Sequence, residues 1–415
     1  MICKKCGQEL TEEEKFCSNC GKKVTKNKKN KKVLVIVISL VLAFTIGMGI
    51  FLGVTKINVI SNNNIQYTDE RYFTISNSGS LALAEDYRYN KNTKKYGIYY
   101  NELPTTITIP KTVEGIKVTK INDEAFYNCK NIEQIRLPDS IKIIGNSAFS
   151  NCTNLKEIQF SNSLEEIGEK AFLNCKALNE VNLPDSVAQI GYSPFSDCSS
   201  LQKINIPKSL TKIPAYFVSN TSVKNIEIPK NILEIGGHAF QNTQLQSIKI
   251  PETITKIPDY FVESCPITNI EIPANIEEIG GWAFYGTKIT NINIPNTVKK
   301  IGTNAFKCCP YLETAEIHVE DISSEGMLAI CRNLKTVIIS EDVIRISGRD
   351  LFEGCINLTE IEIPETVKYI SMFSFETTKG DESIYNLNIK VKKGSYADTE
   401  FDSFKRYESQ RKSYY

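Results

Sequence analysis

Between Ile121 and Phe375 the chain returns twelve times to one short phrase, an apolar anchor followed by Asn or Cys and then a spaced aliphatic triplet. The anchors are Phe126, Phe149, Phe172, Phe195, Phe217, Phe240, Phe261, Phe284, Phe306, Leu328, Phe352 and Phe375, separated by 21 to 24 residues. Three consecutive units starting at Ile144, Ile167 and Ile190 align without a gap as IGNSAFSNCTNLKEIQFSNSLEE, IGEKAFLNCKALNEVNLPDSVAQ and IGYSPFSDCSSLQKINIPKSLTK. A period near 23 residues dictates a solenoid, because no single unit buries its apolar face and neighbours must stack.

Within a unit, Leu155, Ile158 and Phe160 of LKEIQF are spaced by charged or amide residues, so the segment alternates like a half-buried strand. The form recurs from Leu178, Leu201, Val223, Leu245, Ile267, Ile289 and Leu358. Pro usually follows, as at Pro184, Pro207, Pro229, Pro251, Pro273, Pro295 and Pro364, where a residue without an N–H ends a ladder. A second apolar pair, such as Leu164 with Ile167, and a Gly turn lead to the next anchor. The pattern predicts a β-rich solenoid with two short strands and one tight, one-turn helical corner per coil.

The AFxNCxxLxxIxIP phrase, followed by a second short strand and IG, resembles the BspA-like leucine-rich repeats of bacterial surface proteins and some protists. The resemblance covers about Ile107 to Ala397, with ITIPKTVEGIKVTKI and VKKGSYA resembling the two ends of such arrays. It implies an adhesion or binding surface rather than an active site.

Residues 1–24 carry Cys3, Cys6, Cys17 and Cys20 as CKKCG and CSNCG, ten residues apart. Two CxxC knuckles supply four thiolates to one tetrahedral structural zinc ion (Zn2+), and Gly7 and Gly21 let the backbone turn around the sulfurs. The segment resembles the small zinc ribbons that begin many bacterial membrane proteins. So small a module is expected to fold only with its metal. A redox CxxC and a ribbon that has lost its metal are the competing readings.

A Lys-rich linker, 25–32, precedes the uncharged stretch Val33 to Val54, whose length as a helix is about 33 Å and suffices for one bilayer crossing. It reads as a transmembrane helix, too long for a signal-peptide core and without a clear small-x-small cleavage site. Lys22, Lys23, Lys26, Lys28, Lys29, Lys31 and Lys32 on one flank place the N-terminus in the cytoplasm and the repeats outside. Beside a membrane the same lysines serve orientation and anionic lipid, so no nucleic-acid partner is expected. Gly49 and Gly53 fit a small-xxx-small helix-pairing pattern or are ordinary membrane glycines. Residues 55–101 read as a stalk and N-terminal cap with a strand at YFTIS, 102–397 as the repeats, and 398–415 as a tail or capping helix.

The first 32 residues hold ten Lys and four Glu, a formal +6, and the whole chain is +1, so residues 55–415 sum to −5. A mildly acidic exterior part argues against a general polyanion binder. Nine Cys lie in the repeats; Cys129, Cys152, Cys175, Cys198, Cys309, Cys331 and Cys355 share the column three residues after the anchor, with Asn220 at the equivalent place. Buried free thiols fit this column, the alternative being disulfides between neighbouring coils whose parallel side chains are poorly aimed.

The two His, His238 and His318, lie in different coils, and the carboxylates Glu227, Glu271, Glu316 and Glu362 are scattered on strand faces. No phosphate loop, nucleophile elbow, HExxH or calcium loop is present in the sequence, so catalysis is not expected. The block from Ser209 to Phe240 repeats 44 residues later as Thr253 to Phe284. It brings Tyr216, Tyr260 and Trp282 to coil corners, either as binding anchors or as fillers of larger corner voids. The other candidate surface is the outward strand column Asn182, Asn205, Glu227, Lys249, Glu271 and Asn293. The expected function is that of a membrane-anchored cell-surface binding protein recognising an extracellular protein or glycan. The alternatives are an envelope sensor or scaffold that couples an outside ligand to a cytosolic partner through the ribbon, and an envelope enzyme with a site on the repeats.

Overall fold

The computed structural model describes residues 72–83, 89–90, 95–96, 103–375, 387–405 and 410–415. The expected zinc ribbon, Lys-rich linker, transmembrane segment and most of the stalk lie outside the described residues. Among the described residues no helix is long and apolar enough to cross a membrane.

Two parallel ladders run along the repeats. One takes the second strand of each coil: Lys120–Ile121, Ile143–Ile144, Glu166–Ile167 and Gln189–Ile190 pair in register, one 23-residue unit to the next. The other takes the first strand, with Thr106–Thr108, Gln134–Arg136 and Glu157–Gln159 paired in parallel. Equivalent positions face each other, so every apolar column stays inside and every polar column outside. Ile135, Ile158, Ile144 and Ile167 are all buried by this register.

The third side of each coil is not the expected helical turn. It is a tight corner with two left-handed residues four apart, such as Ser147 and Asn151 (φ 52° and 61°) or Lys170 and Asn174 (φ 54° and 61°). Left-handed residues turn the chain within a few bonds and aim main-chain N–H groups along the stack. The Phe126 N–H accordingly donates to the Ala148 carbonyl at 2.7 Å, and the Phe149 N–H to the Ala171 carbonyl at 2.8 Å. Asn tolerates this φ better than other side-chain-bearing residues, which accounts for its recurrence before the Cys column.

The anchors form the core. Phe126, Phe149, Phe172 and Phe195 are fully buried and stack with ring centroids 5.1, 5.2 and 5.2 Å apart. Two anchors are out of the expected register. The Val218 and Val262 N–H groups make the bonds that anchors make elsewhere, to the Ala239 and Ala283 carbonyls. Phe217 and Phe261 therefore occupy the place of the preceding Ala, and Phe217 meets Phe195 edge-on at an interplanar angle of 86°. AYFV offers two adjacent apolar residues to one slot, and the smaller one takes it.

The Cys column is corrected by the same shift. Cys152, Cys175 and Cys198 each donate Sγ–H to the anchor carbonyl of the preceding coil at 3.1–3.2 Å, and Cys265 does the same to Phe240. In the coil of Val218 the equivalent residue is Thr221 rather than Asn220, since Asn220 holds the left-handed position at φ 58°. The column accepts any small side chain that carries a donor. All nine repeat cysteines are free. Burial pushes the Cys152 thiol up to about 12 and the Cys265 thiol to about 11, so neither supplies thiolate near neutral pH.

Both ends of the stack are covered. An antiparallel hairpin, Phe73–Ile75 with Ser80–Leu83, pairs onto Lys120–Ile121, and Phe73 meets Phe126 edge-on at 6.4 Å. The C-terminal tail is not a single capping helix. Two one-turn helices, Tyr396–Thr399 and Phe401–Phe404, bury Phe404 against Phe375 at 6.0 Å, and Arg411–Tyr414 then adds a parallel strand to Asn388–Val391. This last strand is short and carries Arg411 and Lys412, which discourages edge-to-edge pairing.

Candidate ligand-binding surface

The ladders are interrupted most extensively over the duplicated block; single breaks also fall between Glu157–Gln159 and Glu180–Val181 and between Lys300–Ile301 and Asp321–Ile322. In six coils a Gly follows the second strand, and a Cβ at Gly168, Gly191 or Gly302 would meet main-chain atoms of the preceding coil at 2.2–2.6 Å; Asn122 and Ser371 take the same place and still donate their N–H, at 2.8 Å. The Gly191, Gly236, Gly280 and Gly302 N–H groups each donate to the Ile carbonyl of that coil at 2.7–2.9 Å. Pro214 and Pro258 stand in this position in their own coils. Proline has no N–H to donate. The second-strand ladder stops at both places: Gln189–Ile190 does not pair with Lys212–Ile213, nor Glu234–Ile235 with Lys256–Ile257.

The first-strand ladder lapses over the same coils. It is intact at Glu180–Val181 with Lys203–Ile204 and resumes at Asn291–Ile294 with Thr314–Ile317. Between them, no main-chain hydrogen bond joins residues 225–228, 247–250 and 269–272 to one another. The lapse falls where four successive corners are one residue shorter, as in Thr243–Gln244–Leu245 against Cys152–Thr153–Asn154–Leu155. Grooves open between these coils, of about 960 Å³ beside Asn205 and Asn225, 540 Å³ between Glu227 and Lys249, and 900 Å³ between Lys249 and Glu271. The corner side remains tied, with Val218, Phe240, Val262 and Phe284 all hydrogen-bonded to the next coil.

On that corner the structure brings Tyr216, Tyr260 and Trp282 together and adds His238, which shares their 22-residue spacing. The four are 22 residues apart and stack as one column, with centroid separations of 4.3, 4.2 and 5.8 Å and interplanar angles of 7°, 11° and 9°. All four have φ between 55° and 59°, a conformation costly for a bulky side chain. The value belongs to the column, since Ser193 and Asn304 share it. The four rings add a stack that Ser193 and Asn304 lack. Tyr216 is 37% exposed, and His238, Tyr260 and Trp282 are half-buried. Because ring faces are spent on one another, the column offers ring edges to solvent, the geometry of a rigid polar-tipped ridge rather than of an open stacking platform.

A polar relay steadies the ridge. His238 Nδ1 lies 2.9 Å from Gln241 Oε1, and Gln241 Nε2 donates to Glu263 Oε2. Trp282 also touches Tyr285 at 5.1 Å, and a hydrogen bond with the Cys308 thiol is the leading cause that pushes the Tyr285 phenol up to about 12. The outward column Asn182, Asn205, Glu227, Lys249, Glu271 and Asn293 is exposed throughout, on the strand side and apart from the ridge. His318, in its own coil, lies 3.3 Å from Asp342 and 4.0 Å from Glu316 and does not meet His238.

Sequence profiles place these repeats. The BspA type leucine-rich-repeat region matches residues 119–244, 234–349 and 324–405, most of the chain. The chain belongs to the BspA-type leucine-rich-repeat family. Among solved structures, a leucine-rich repeat protein from Bacteroides ovatus matches with a TM-score of 0.62 at 21% identity, over 85% of this chain and all of that one. A leucine rich cell surface protein from Faecalibacterium prausnitzii matches at 25% identity over 84% of this chain and 94% of that one, with a TM-score of 0.46. The pneumococcal vaccine antigen PcpA matches at 21% identity over 81% of this chain and 83% of that one, with a TM-score of 0.49. No curated protein matches the chain. The family match and the likeness to the Bacteroides ovatus protein establish the repeat fold and leave the ligand to be argued from this chain's own surface.

A zinc-ribbon domain profile matches residues 2–24. Cys3, Cys6, Cys17 and Cys20 lie outside the described residues, and among the described residues no group of three His, Cys, Asp or Glu side chains is placed to hold a metal. The four-thiolate donor set suits a closed structural zinc site. Cys3→Ser is expected to lower the zinc bound by the purified chain, measured by atomic emission; unchanged zinc stoichiometry would contradict the assignment.

Proposed function

We propose that this BspA-type protein is a non-catalytic binding protein whose recognition surface is the duplicated block, residues 209–284. The observation that carries the proposal is the stacked column Tyr216–His238–Tyr260–Trp282, which holds four bulky residues in a costly backbone conformation on a rigid corner. Rigid aromatic side chains lose little entropy on binding and dominate interface energetics. Display outside a cell, by a single membrane span at residues 33–54 with the N-terminus in the cytoplasm, is supported by the apolar stretch and its Lys flank. Adhesion to an extracellular protein or glycan is the role most in keeping with the fold.

The test immobilises the full chain and exposes it to host-cell and bacterial-envelope extracts, beside a variant carrying Tyr216→Ala, Tyr260→Ala and Trp282→Ala. Loss of anchor residues of this kind typically costs about 2 kcal/mol or more each, so the expected result is a partner captured by the wild type and lost by the variant, with both chains folded. Equal capture by both contradicts the location. The match of a zinc ribbon to residues 2–24 favours one second reading, a sensor or scaffold in which the ribbon recruits a cytosolic partner. A chain lacking the zinc ligands that keeps every partner argues against it.

A further inference from the structure

We infer that the groove between the coils of Glu227 and Lys249 takes an extended polypeptide segment that carries charges of both signs. The inference rests on the binding reading above and adds to it the chemistry of one site. Its first basis is main-chain valence. Ile226–Ile228 and Ser247–Lys249 line the groove from the two coils, and neither shares a backbone hydrogen bond with the other. Strand edges left unpaired present alternating N–H donors and C=O acceptors. A polypeptide in extended form repeats donors and acceptors at the same pitch of about 3.3 Å per residue, which is why sheet edges recruit strands.

Its second basis is charge. At several other coils, Lys and Glu one coil apart bond across the gap, as in Lys156–Glu133 at 2.8 Å, Lys203–Glu180 at 2.8 Å and Lys299–Glu277 at 2.9 Å. In the groove the same one-coil relation holds between Glu227 and Lys249 and between Lys230 and Glu252, yet neither pair forms an ion pair. Each end of the groove thus sets a free carboxylate and a free ammonium on opposite walls, with the signs reversed at the other end. A segment bearing only one sign is attracted by one wall and repelled by the other at each end. A segment with one Lys and one Glu near each end satisfies all four groups.

A second copy of this chain docking antiparallel through its outward column could set Lys249 against Glu271 but would leave Lys230 and Glu252 of the groove unmatched, so it is an alternative outcome read as self-association of the free chain. A neutral ligand would leave the four charges without partners.

The test titrates the full chain with four fluorescent, end-blocked decapeptides that differ only at a central hexamer. These are Lys-Glu-Ser-Ser-Glu-Lys, its all-Lys and all-Glu counterparts, and its all-Ser counterpart, read by fluorescence anisotropy. The mixed peptide is expected to bind at least about tenfold tighter than the others, and a Glu227→Gln, Lys249→Gln double variant to lose about that factor. Both side chains are exposed, so the double variant keeps the fold, and its thermal unfolding serves as the control. Equal binding of the all-Lys or all-Glu peptide overturns the inference in favour of unspecific charge attraction. Failure of all four peptides also overturns it, and leaves the binding reading standing if the aromatic ridge still captures its partner.

Discussion

Phe172→Ala is expected to lower the unfolding free energy by about 3–5 kcal/mol, the range for emptying a packed aromatic site. Phe172 is fully buried between Phe149 and Phe195, with centroids 5.2 Å away on each side, and Phe160 meets it edge-on at 5.8 Å. The gap left by the ring cannot close, because the coils above and below are fixed by the Phe149 N–H to Ala171 carbonyl bond and by the Phe172 N–H to Pro194 carbonyl bond. Stacking also propagates the damage, since a repeat array is stabilised by nearest-neighbour contact. Chemical denaturation of the wild type and variant measures the loss. Val218→Ala, at the same column but with a smaller side chain, should cost visibly less; a Phe172→Ala chain within about 1 kcal/mol of wild type would mean that the ring column does not hold the coils together.

The second large effect concerns local stability. Amides in residues 225–228, 247–250 and 269–272 are expected to exchange with deuterium on the order of a thousandfold faster than those in 134–136, 157–159 and 314–317. The latter are paired in parallel ladders, and the former have no ladder partner. Protection should return on the corner side of the same coils, where Val218, Phe240 and Val262 donate to the next coil. Pro258→Gly provides the complementary test. It restores an N–H able to reach the Ile235 carbonyl, so exchange at Glu234–Ile235 and Lys256–Ile257 should slow. Uniform protection along the repeats would show that the lapse is not a property of the protein in solution.

Much of this was legible in the residues. The anchor period, the alternation of LKEIQF and the Pro after each strand specified stacked two-strand coils, because identical units must stack in register to keep Ile over Ile. Three features were not. AYFV holds two adjacent apolar residues, and only the backbone bonds of Val218 and Val262 reveal which one takes the anchor slot. The corner reads like a helical turn because Ala, Phe and Asn suit one, whereas the structure needs two left-handed residues per corner to send N–H groups along the stack. His238 joined the ridge only in three dimensions, although its 22-residue spacing from Tyr216 and Tyr260 was available as a signal. The replacement of Gly by Pro at Pro214 and Pro258 was likewise visible, but its consequence depends on how closely coils approach at that position. The thiolates of Cys3, Cys6, Cys17 and Cys20 stand on their spacing and the zinc-ribbon match alone.

The duplicated block combines a stacked ridge with opened ladders, and the two features have one origin in the departures from the 23-residue unit. Shortened corners and Pro in place of Gly loosen the strand side, while the rings hold the corner side. A surface rigid on one flank and unsatisfied on the other is suited to recognition. The measurement that tests this most directly is hydrogen exchange of the full chain with and without its captured partner. The account predicts new protection confined to residues 201–294, greatest in the segments whose amides exchange fastest in the free chain. Protection that appears only elsewhere on the repeats, with this block unchanged, would contradict it.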